Sequence, residues 1–304
     1  MPMYLDEAAV ARHLRMDDLI PAMEKALVDF SGGKVDQPPR SSIAVDPPGG
    51  FFFWMPARAE ALGLKIVTLY PSNAARGLPT HMATIFLCDV ETGASLAVMD
   101  GRLITEMRTA AVSAVATNLC AAPDARVLAI LGSGVQAQSH VEALRRVRAF
   151  DEVRIWSRTP EHARRLAAQA GATAVASAED AVRGADVVVT ATSAREPVLQ
   201  GAWLKRGCHV NAVGAPRPDW RELDDAAMRN VLFVDSRAGA LQESGDVILS
   251  GATIHAEIGE ALAGRAAARR DETTVFKSLG MAVEDVAAAM LVYRSARTRA
   301  QTGG

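Results

Sequence analysis

Residues 127–137 read Val-Leu-Ala-Ile-Leu-Gly-Ser-Gly-Val-Gln-Ala, an apolar strand that passes through two closely spaced glycines into a helix. Parallel α/β sheets hold the pyrophosphate of a dinucleotide at such a turn. Gly132 permits the tight turn, Gly134 lets backbone amides approach phosphate oxygens, and Ala137 is small enough for the helix to pack on the strand. Alone, the pattern is also typical of an ordinary strand-to-helix turn that binds nothing, so the surrounding sequence decides.

The second predicted strand, 153–156, is followed by Ser157, Arg158 and Thr159. A site selective for NAD usually has a carboxylate here that binds the ribose diol. A planar guanidinium flanked by two hydroxyl groups instead suits a 2′-phosphate dianion. We therefore predict NADP(H) as the cofactor. The alternative is that Arg158 is a solvated loop charge after a strand.

Strands and helices alternate around this turn. Predicted strands 127–131 and 153–156 are each followed by a predicted helix, at 135–149 and 160–170. Further strand candidates, for about six in all, are 172–175, 185–190, 208–213 and 230–234. Such alternation predicts a parallel sheet with helices on both faces, which is a doubly wound, Rossmann-type α/β domain.

The segment before this domain has a different pattern. A helical stretch from Asp6 to Ser31 ends at Gly32-Gly33, and an alanine-rich helix runs from Thr105 to Cys120. Between them, prolines and glycines separate apolar runs, as in an antiparallel meander. These runs are 51–54, 64–70 and 84–88. The first domain is therefore predicted to be α+β.

The last segment, 280–302, is a long alanine-rich helix with apolar residues spaced to cover a buried face. We expect it to return to the first domain. Residues 1–120 with 279–304 are thus assigned to a discontinuous substrate-binding and dimerisation domain, and residues 121–278 to the NADP-binding domain. An apolar sheet in so small a first domain needs covering, and a partner subunit is the usual cover, so we predict a homodimer.

Composition excludes several classes of function. The 304 residues have a net charge of −2 and no run of basic residues that could follow phosphates, so nucleic acid is not an expected partner. Nowhere do about 18 apolar residues follow one another, and the N-terminus lacks the pattern of a signal peptide. We expect no membrane association and a cytoplasmic location.

Cysteine and histidine usage gives no sign of a metal site. The three cysteines, Cys88, Cys120 and Cys208, are far apart in apolar sequence, which indicates neither a disulfide framework nor a zinc site and fits a reducing compartment. Most histidines lack metal-site spacing and are interpreted as structural; they are His13, His140, His162, His209 and His255. We therefore expect no metal.

Further blocks of sequence are spread in order over nearly the whole chain. They are Pro-Pro-Arg at 38–40, Gly-Leu-Lys at 63–65, Ala-Val-Met-Asp-Gly at 97–101, Met-Arg-Thr-Ala-Ala-Val-Ser at 107–113, Asn-Ala-Val-Gly-Ala-Pro-Arg-Pro-Asp-Trp-Arg-Glu-Leu at 211–223 and Thr-Val-Phe-Lys-Ser-Leu-Gly at 274–280. Together with the glycine turn they resemble the ornithine cyclodeaminase/mu-crystallin family. Within it the chain is most similar to ketimine reductases of the mu-crystallin type and Δ1-pyrroline-2-carboxylate reductases.

The resemblance implies that Arg40, Lys65 and Arg108 hold the carboxylate and the reacting nitrogen of a small imino or amino acid. Arginine suits a bidentate grip on a carboxylate, and Arg108 is predicted in the first turn of a helix, whose free amides favour an anion. From the residues alone, cations of this kind are more often surface ion-pair partners, and the resemblance reverses that preference. Lys65 lies in a strand-like run, so its ammonium either reaches water or faces a polar pocket, and the resemblance favours the pocket.

The resemblance also implies a set of positions on the cofactor side. Besides Gly132 and Gly134, they are Thr80, His81, Val135, Gln136, Ser157, Arg158, Thr159, Thr192, Val213, Lys277 and Ser278. Of these, Thr80 and His81 match a loop near the nicotinamide. His81 could also be an ordinary surface histidine.

One departure from the family pattern separates the activities. Cyclodeaminase members carry an aspartate directly after the Val-Gly-small motif, but here Val213-Gly214-Ala215 is followed by Pro216. Proline can neither exchange a proton nor hold an ammonium group, and Asp219 follows only three positions later. We therefore favour net reduction of an imine, with Lys65 as the candidate that polarises or protonates the nitrogen and Asp219 as a weaker one.

Three alternatives to an NADPH-dependent reductase of Δ1-pyrroline-2-carboxylate or a related ketimine stay open. One is a lyase that converts ornithine to proline and ammonia. Another is an amino-acid dehydrogenase, for example one acting on alanine. The third is a binding protein that needs NADPH and carries a small carboxylate ligand without catalysis.

Overall fold

The computed structural model describes residues 1–301, apart from the side chain of Ala74. The chain divides into two compact units. The first comprises residues 1–108 and the described residues from Met281 onward, and the second comprises Thr109–Gly280. The division falls inside a helix, whereas the sequence pattern predicts the domain boundary after that helix, at residue 120.

Both units contain strands and helices, numbered in chain order. The strands are β1 (Met3–Leu5), β2 (Ser41–Val45), β3 (Gly50–Arg58), β4 (Leu62–Leu69), β5 (His81–Cys88), β6 (Ser95–Asp100), β7 (Val127–Leu131), β8 (Glu152–Trp156), β9 (Thr173–Ala174), β10 (Val187–Thr190), β11 (His209–Ala212), β12 (Val231–Val234), β13 (Ile254–Glu257) and β14 (Thr274–Lys277). The helices are α1 (Glu7–His13), α2 (Met16–Ser31), α3 (Arg102–Cys120), α4 (Val135–Val147), α5 (Pro160–Ala170), α6 (Ala178–Val182), α7 (Asp225–Met228), α8 (Arg237–Glu243), α9 (Gly245–Ser250), α10 (Ile258–Leu262) and α11 (Ala282–Gln301).

The first unit is built on a six-stranded sheet in the order β1-β6-β5-β4-β3-β2. Strands β2 to β6 form an antiparallel meander, as the sequence predicts, and β1 pairs parallel to β6. The helical stretch predicted over 6–31 is two helices, because Leu14 and Arg15 have extended backbone angles that end α1 before α2 begins. Asp6 caps α1 by accepting a hydrogen bond from the Ala9 amide at 2.8 Å.

One face of this sheet is covered by the last helix. Along β4 the side chains alternate, so Gly63, Lys65 and Val67 are buried on the covered face. Helix α11 packs directly on Gly63, where a Cβ would lie 2.2 Å from a methyl carbon of Val286. The expectation that the C-terminal helix returns to the first domain agrees with this packing.

The opposite face of the sheet is apolar and partly exposed. The register aligns Tyr4, Val98, Phe86 and Leu64 in one row across four strands. Tyr4 is 78% exposed and Phe86 39%, and Ile43 near the sheet edge is 54% exposed. A contiguous apolar surface of this kind is typical of an interaction site.

The second unit is a parallel eight-stranded sheet in the order β13-β12-β14-β11-β10-β7-β8-β9. The prediction of a doubly wound Rossmann fold is confirmed. The chain moves outward from β7 through β8 to β9 and then returns to place β10 on the other side of β7. Ligands bind at the carboxyl ends of the strands at this kind of switch point.

Two strands of this sheet are not among the six that the sequence predicts. Strand β13 lies at the edge, whereas β14 lies inside the sheet between β11 and β12. Each is only four residues long, and β14 ends in Lys277, which is fully buried. Both runs end in a charged residue, Glu257 or Lys277, so neither is recognised as a continuous apolar strand.

The described residues, 1–301, include no helix with both the length and the apolar composition that a bilayer crossing requires.

Candidate active site

Two cations and two carboxylates form a buried cluster in the first unit. Lys65 from β4 and Arg108 from α3 are 2% and 4% exposed. The Lys65 ammonium lies 2.6 Å from Asp285 Oδ2. Arg108 donates from Nε to Asp285 Oδ1 at 2.9 Å and from Nη1 to Glu284 Oε2 at 2.7 Å. The structure thus brings Lys65 and Arg108 to the same two carboxylates.

Helix α11 supplies both carboxylates from its first turn, where the helix dipole favours negative charge. Glu284 also accepts a hydrogen bond from the Met281 amide at 3.2 Å, and the Gln37 side chain accepts one from the Val283 amide at 2.8 Å. Buried charges of this kind are tolerated when they are paired and hydrogen-bonded.

The sequence pattern does not point to either carboxylate, because the helix is recognised by its apolar residues alone. The signal that could have found them is the adjacent pair Glu284-Asp285 at the start of an otherwise apolar helix.

Burial and the neighbouring cations lower the pKa values of Lys65 and His81. Burial, assisted by the charge of Arg108, lowers the pKa of Lys65 to about 8, while Asp285 acts in the opposite direction. Burial also lowers the pKa of His81 to about 4, and the charges of Lys65 and Arg108 add to this effect. Lys65 is therefore poised to give up a proton near neutral pH, and His81 is neutral there.

Arg40 adds a third cation near the cluster. It is half-buried, and its field acts on Lys65. The cations of the site attract a ligand carboxylate.

Arg108 lies deeper in its helix than the sequence predicts. Helix α3 begins at Arg102 rather than Thr105, so Arg108 is past the first turn. The prediction that Arg108 lies in the first turn is therefore wrong, whereas its role in anion binding stays a prediction. The geometry leaves the guanidinium itself as the group that can bind an anion.

Apolar side chains lie on the same sheet face as Lys65. Met55 is directly opposite Lys65 in the strand register, and Phe53 is opposite Val67. The rings of Phe51 and Phe53 stack with centroids 5.9 Å apart. This face can therefore accept an apolar portion of a ligand whose charged end is held by the cations.

The glycine turn of the second unit has the geometry that a dinucleotide needs. Gly132 has φ of +130°, and a Cβ there would lie 2.4 Å from the carbonyl oxygen of Ala191 at the end of β10. A Cβ added to Gly134 would meet nothing within 4 Å, so the space beside this residue is open. Gly134 is the N-cap of α4 and provides no side-chain cap, so the first amides of this helix are available to a phosphate.

The other predicted residues of this turn surround it. Val135 is 53% exposed in the first turn of α4, and the side-chain oxygen of Gln136 is buried without a hydrogen-bond partner. Ser157 accepts a hydrogen bond from Ser133 at 2.8 Å. Arg158 is exposed, as is Thr159, the N-cap of α5.

A buried carboxylate fixes the end of β10. Glu222 accepts hydrogen bonds from the amide and hydroxyl of Thr192 at 2.7 and 2.6 Å and from the Thr190 hydroxyl at 2.8 Å. Burial raises its pKa, and the charge of Lys277 opposes this shift. Thr192 is thus held in place through a residue that is not among the predicted site residues.

Lys277 is fully buried and is engaged within the fold. Its ammonium donates to the carbonyl oxygen of Gly214 and, at 2.9 Å, to Asp246 Oδ2. Asp246 in turn accepts from the amides of Glu222 and Leu223. The Lys277 ammonium is thus bonded within the fold, and its assignment to the cofactor side stays a prediction.

The remaining predicted residues lie at strand ends or in exposed loops. Val213 donates its amide to the Thr190 carbonyl at 2.9 Å, and Ser278 donates its amide to the Ala212 carbonyl at 3.0 Å. Thr80 is exposed on the loop before β5. Asp219 belongs to the second unit, is 67% exposed and pairs with Arg217 at 3.4 Å.

Within residues 1–301, no three histidine, cysteine, aspartate or glutamate side chains come together in a way that could hold a metal ion.

Comparison with known proteins identifies one family. The sequence model of the ornithine cyclodeaminase/mu-crystallin family matches residues 1–300. The ketimine reductase mu-crystallin of Mus musculus is 51% identical over 304 residues, which cover 97% of this chain and 97% of that protein.

Two solved structures have the same fold. The Δ1-pyrroline-2-carboxylate reductase of Thermococcus litoralis, in complex with NADH and L-proline, has a TM-score of 0.93 at 38% identity, with 98% of each chain covered. An archaeal alanine dehydrogenase dimer with bound NAD has a TM-score of 0.93 at 34% identity, covering 98% of this chain and 97% of that one.

Proposed function

Because the chain belongs to the ornithine cyclodeaminase/mu-crystallin family, we propose that it is an NADPH-dependent reductase of cyclic ketimine carboxylates. Δ1-Pyrroline-2-carboxylate, which would yield proline, is the simplest such substrate. The buried cluster of Lys65 and Arg108 on Glu284 and Asp285 carries the proposal, because it offers a carboxylate-binding guanidinium beside an ammonium of lowered pKa. Similarity to named ketimine and pyrroline-carboxylate reductases supports it.

Reduction of the imine needs three things: a grip on the carboxylate, a hydride, and a proton on the nitrogen. Arg40 and Arg108 bind the carboxylate; a guanidinium has five donors, so the bonds of Arg108 to Glu284 and Asp285 are compatible with this role. A bound nicotinamide cofactor supplies the hydride.

Lys65 supplies the proton. Its ammonium donates to the imine nitrogen, which makes the neighbouring carbon electrophilic, and the nitrogen keeps the proton as the C=N bond becomes C–N. A pKa of about 8 leaves most of Lys65 protonated at pH 7 and still makes it a better acid than an ordinary lysine. Asp219 is a second, weaker candidate for this step.

The second unit is proposed to bind the cofactor through Gly132, Gly134 and the first amides of α4. A Cβ at Gly132 could not be accommodated, whereas the space before Gly134 is open. Arg158 supports a preference for NADPH over NADH, since its exposed guanidinium can pair with a 2′-phosphate.

The enzyme is further proposed to be a cytoplasmic homodimer. The exposed apolar sheet face with Tyr4 and Phe86 supports the dimer, as does the dimeric alanine dehydrogenase of similar fold. The free cysteines Cys88, Cys120 and Cys208 are compatible with a reducing compartment.

Oxidation of NADPH and NADH by the purified protein tests the proposal, with pyrroline-2-carboxylate, piperideine-2-carboxylate, pyruvate plus ammonia, and ornithine as separate substrates. We expect rapid NADPH oxidation with at least one cyclic imine. Ammonia release from ornithine would instead indicate a cyclodeaminase, oxidation with pyruvate and ammonia an alanine dehydrogenase, and tight binding without turnover a carrier protein.

A further inference from the structure

One carboxylate joins the two cations of the site. Asp285 uses both of its oxygens, Oδ2 at 2.6 Å from the Lys65 ammonium and Oδ1 as acceptor from Arg108 Nε at 2.9 Å. Its side chain is 1% exposed. The neighbouring Glu284 is equally buried and contacts Arg108 at 2.7 Å. Both of these adjacent acidic residues contact Arg108, and Asp285 contacts Lys65 as well.

We propose that Asp285 is a positioning residue of the reductase. It keeps the Lys65 ammonium charged and holds it beside Arg108, whereas Glu284 orients Arg108. The inference rests on the proposed function. It gives the first turn of α11 a role in proton supply that neither the sequence motifs nor the similarity to other reductases assigns to it.

The charges around Lys65 make Asp285 the decisive group. Charged and titratable side chains face it from four elements besides its own strand. They are Arg108 from α3, Asp285 from α11, Arg40 from the segment before β2, and His81 from β5, while Glu284 from α11 contacts Arg108. Burial, Arg108 and Arg40 all disfavour the ammonium form, and the Asp285 carboxylate, 2.6 Å from the ammonium, opposes them.

Lys65 has to be protonated to act as an acid, so activity is lost as pH rises through its pKa. Replacing Asp285 by asparagine removes the negative charge but keeps nearly the same shape. The pKa of Lys65 then falls further, and the loss of activity begins at lower pH.

The pH profile of kcat/KM for the imine, measured with Asp285→Asn and Glu284→Gln, tests this assignment. On the alkaline limb of the profile, where kcat/KM falls with rising pH, we expect the midpoint for Asp285→Asn to lie about one pH unit or more below that of wild type. The fall in kcat should be larger than the rise in KM. The matched control, Glu284→Gln, should raise KM because the grip of Arg108 weakens, and should leave the limb within about half a unit of wild type.

A second readout does not depend on turnover. In protein labelled with ¹³C at lysine Cε, the signal that disappears in Lys65→Arg reports the titration of Lys65. It should titrate near 8 in wild type and lower in Asp285→Asn. If Asp285→Asn fails to fold, Asp285→Glu, which keeps the charge, should retain the wild-type alkaline limb at reduced kcat.

Three outcomes overturn the inference: an unchanged limb in Asp285→Asn, an equal shift in both variants, or a wild-type Lys65 that titrates at the ordinary lysine pKa of 10.5. Failure of the proposed function looks different, because wild type would then reduce no cyclic imine while the Lys65 signal could still respond to Asp285→Asn.

Discussion

The ammonium of Lys277 lies 2.9 Å from a carboxylate oxygen of Asp246, and neither side chain is exposed to solvent. The same ammonium donates to the carbonyl of Gly214. Lys277→Met removes one partner and leaves the Asp246 charge buried, so we expect a loss of about 3–5 kcal/mol in the free energy of unfolding. Urea denaturation monitored by circular dichroism measures this loss.

The control for that change is Lys205→Met. Lys205 pairs with Asp186, but its side chain is 41% exposed, so its removal should cost less than about 1 kcal/mol. Similar losses in the two variants would contradict the view that the buried pair fixes this part of the sheet.

Glu222 is expected to link stability to cofactor binding. Glu222→Leu leaves the hydroxyls of Thr190 and Thr192 and the Thr192 amide without their acceptor, which should destabilise the protein by about 3 kcal/mol or more. Glu222→Gln keeps one acceptor oxygen and should therefore destabilise the protein less. Both should weaken NADPH binding, measured by fluorescence titration, whereas Glu196→Gln on the exposed loop should not.

Arg158 is expected to decide between the two cofactors. Loss of a charge-assisted contact with the 2′-phosphate corresponds to about 1.5–3 kcal/mol, so Arg158→Ser should raise the Kd for NADPH roughly 10- to 100-fold and leave that for NADH nearly unchanged. Arg164→Ser, on the exposed side of α5, is the control. Equal effects on both cofactors would reject Arg158 as the discriminating residue.

The glycine turn is an example of structure that the local sequence predicts. The strand, the turn and the helix of residues 127–137 are local structures set by periodicity and by glycine, so β7 and the start of α4 could be predicted. Lys65 and Arg108 could be found only through resemblance, since a lone cation in a strand or helix has no local signature.

Their partners could not be found at all. Asp285 meets Lys65 only because α11 returns to the sheet from the far end of the chain, and Glu222 meets Thr192 only because a loop folds back on β10. Contacts between residues distant in sequence depend on the tertiary fold, and hydrophobic periodicity reports only local secondary structure. Strand β14 was not predicted for a related reason. Its position in the sheet depends on the neighbouring strands β11 and β12 rather than on its own four residues.

Acid should destabilise the second unit through two buried histidines. Burial lowers the pKa values of His140 and His209 to about 4, against an ordinary 6.5. Between these values the unfolded chain binds protons that the folded chain does not, so stability falls as pH drops from about 6.5 to 4, by roughly 3 kcal/mol for each group. Urea denaturation at a series of pH values measures the slope.

His162 provides the comparison, because it is exposed on α5. His162→Gln should keep the wild-type slope, whereas His140→Asn should reduce it at some cost in stability, since the imidazole bonds to Ser113 and Gln136 are lost. A wild-type protein whose stability is flat over this pH range would show that these histidines titrate normally.

The outward face of the first sheet is expected to hold two subunits together. Phe86→Glu puts an unpaired charge in the centre of that apolar surface, and burying it against a partner would cost several kcal/mol. Sedimentation should therefore give a dimer for wild type and a monomer for Phe86→Glu. Leu241→Glu changes an apolar residue that is 58% exposed on α8 and should remain dimeric. A monomeric wild type, or a variant that stays dimeric, would move the proposed interface away from this sheet.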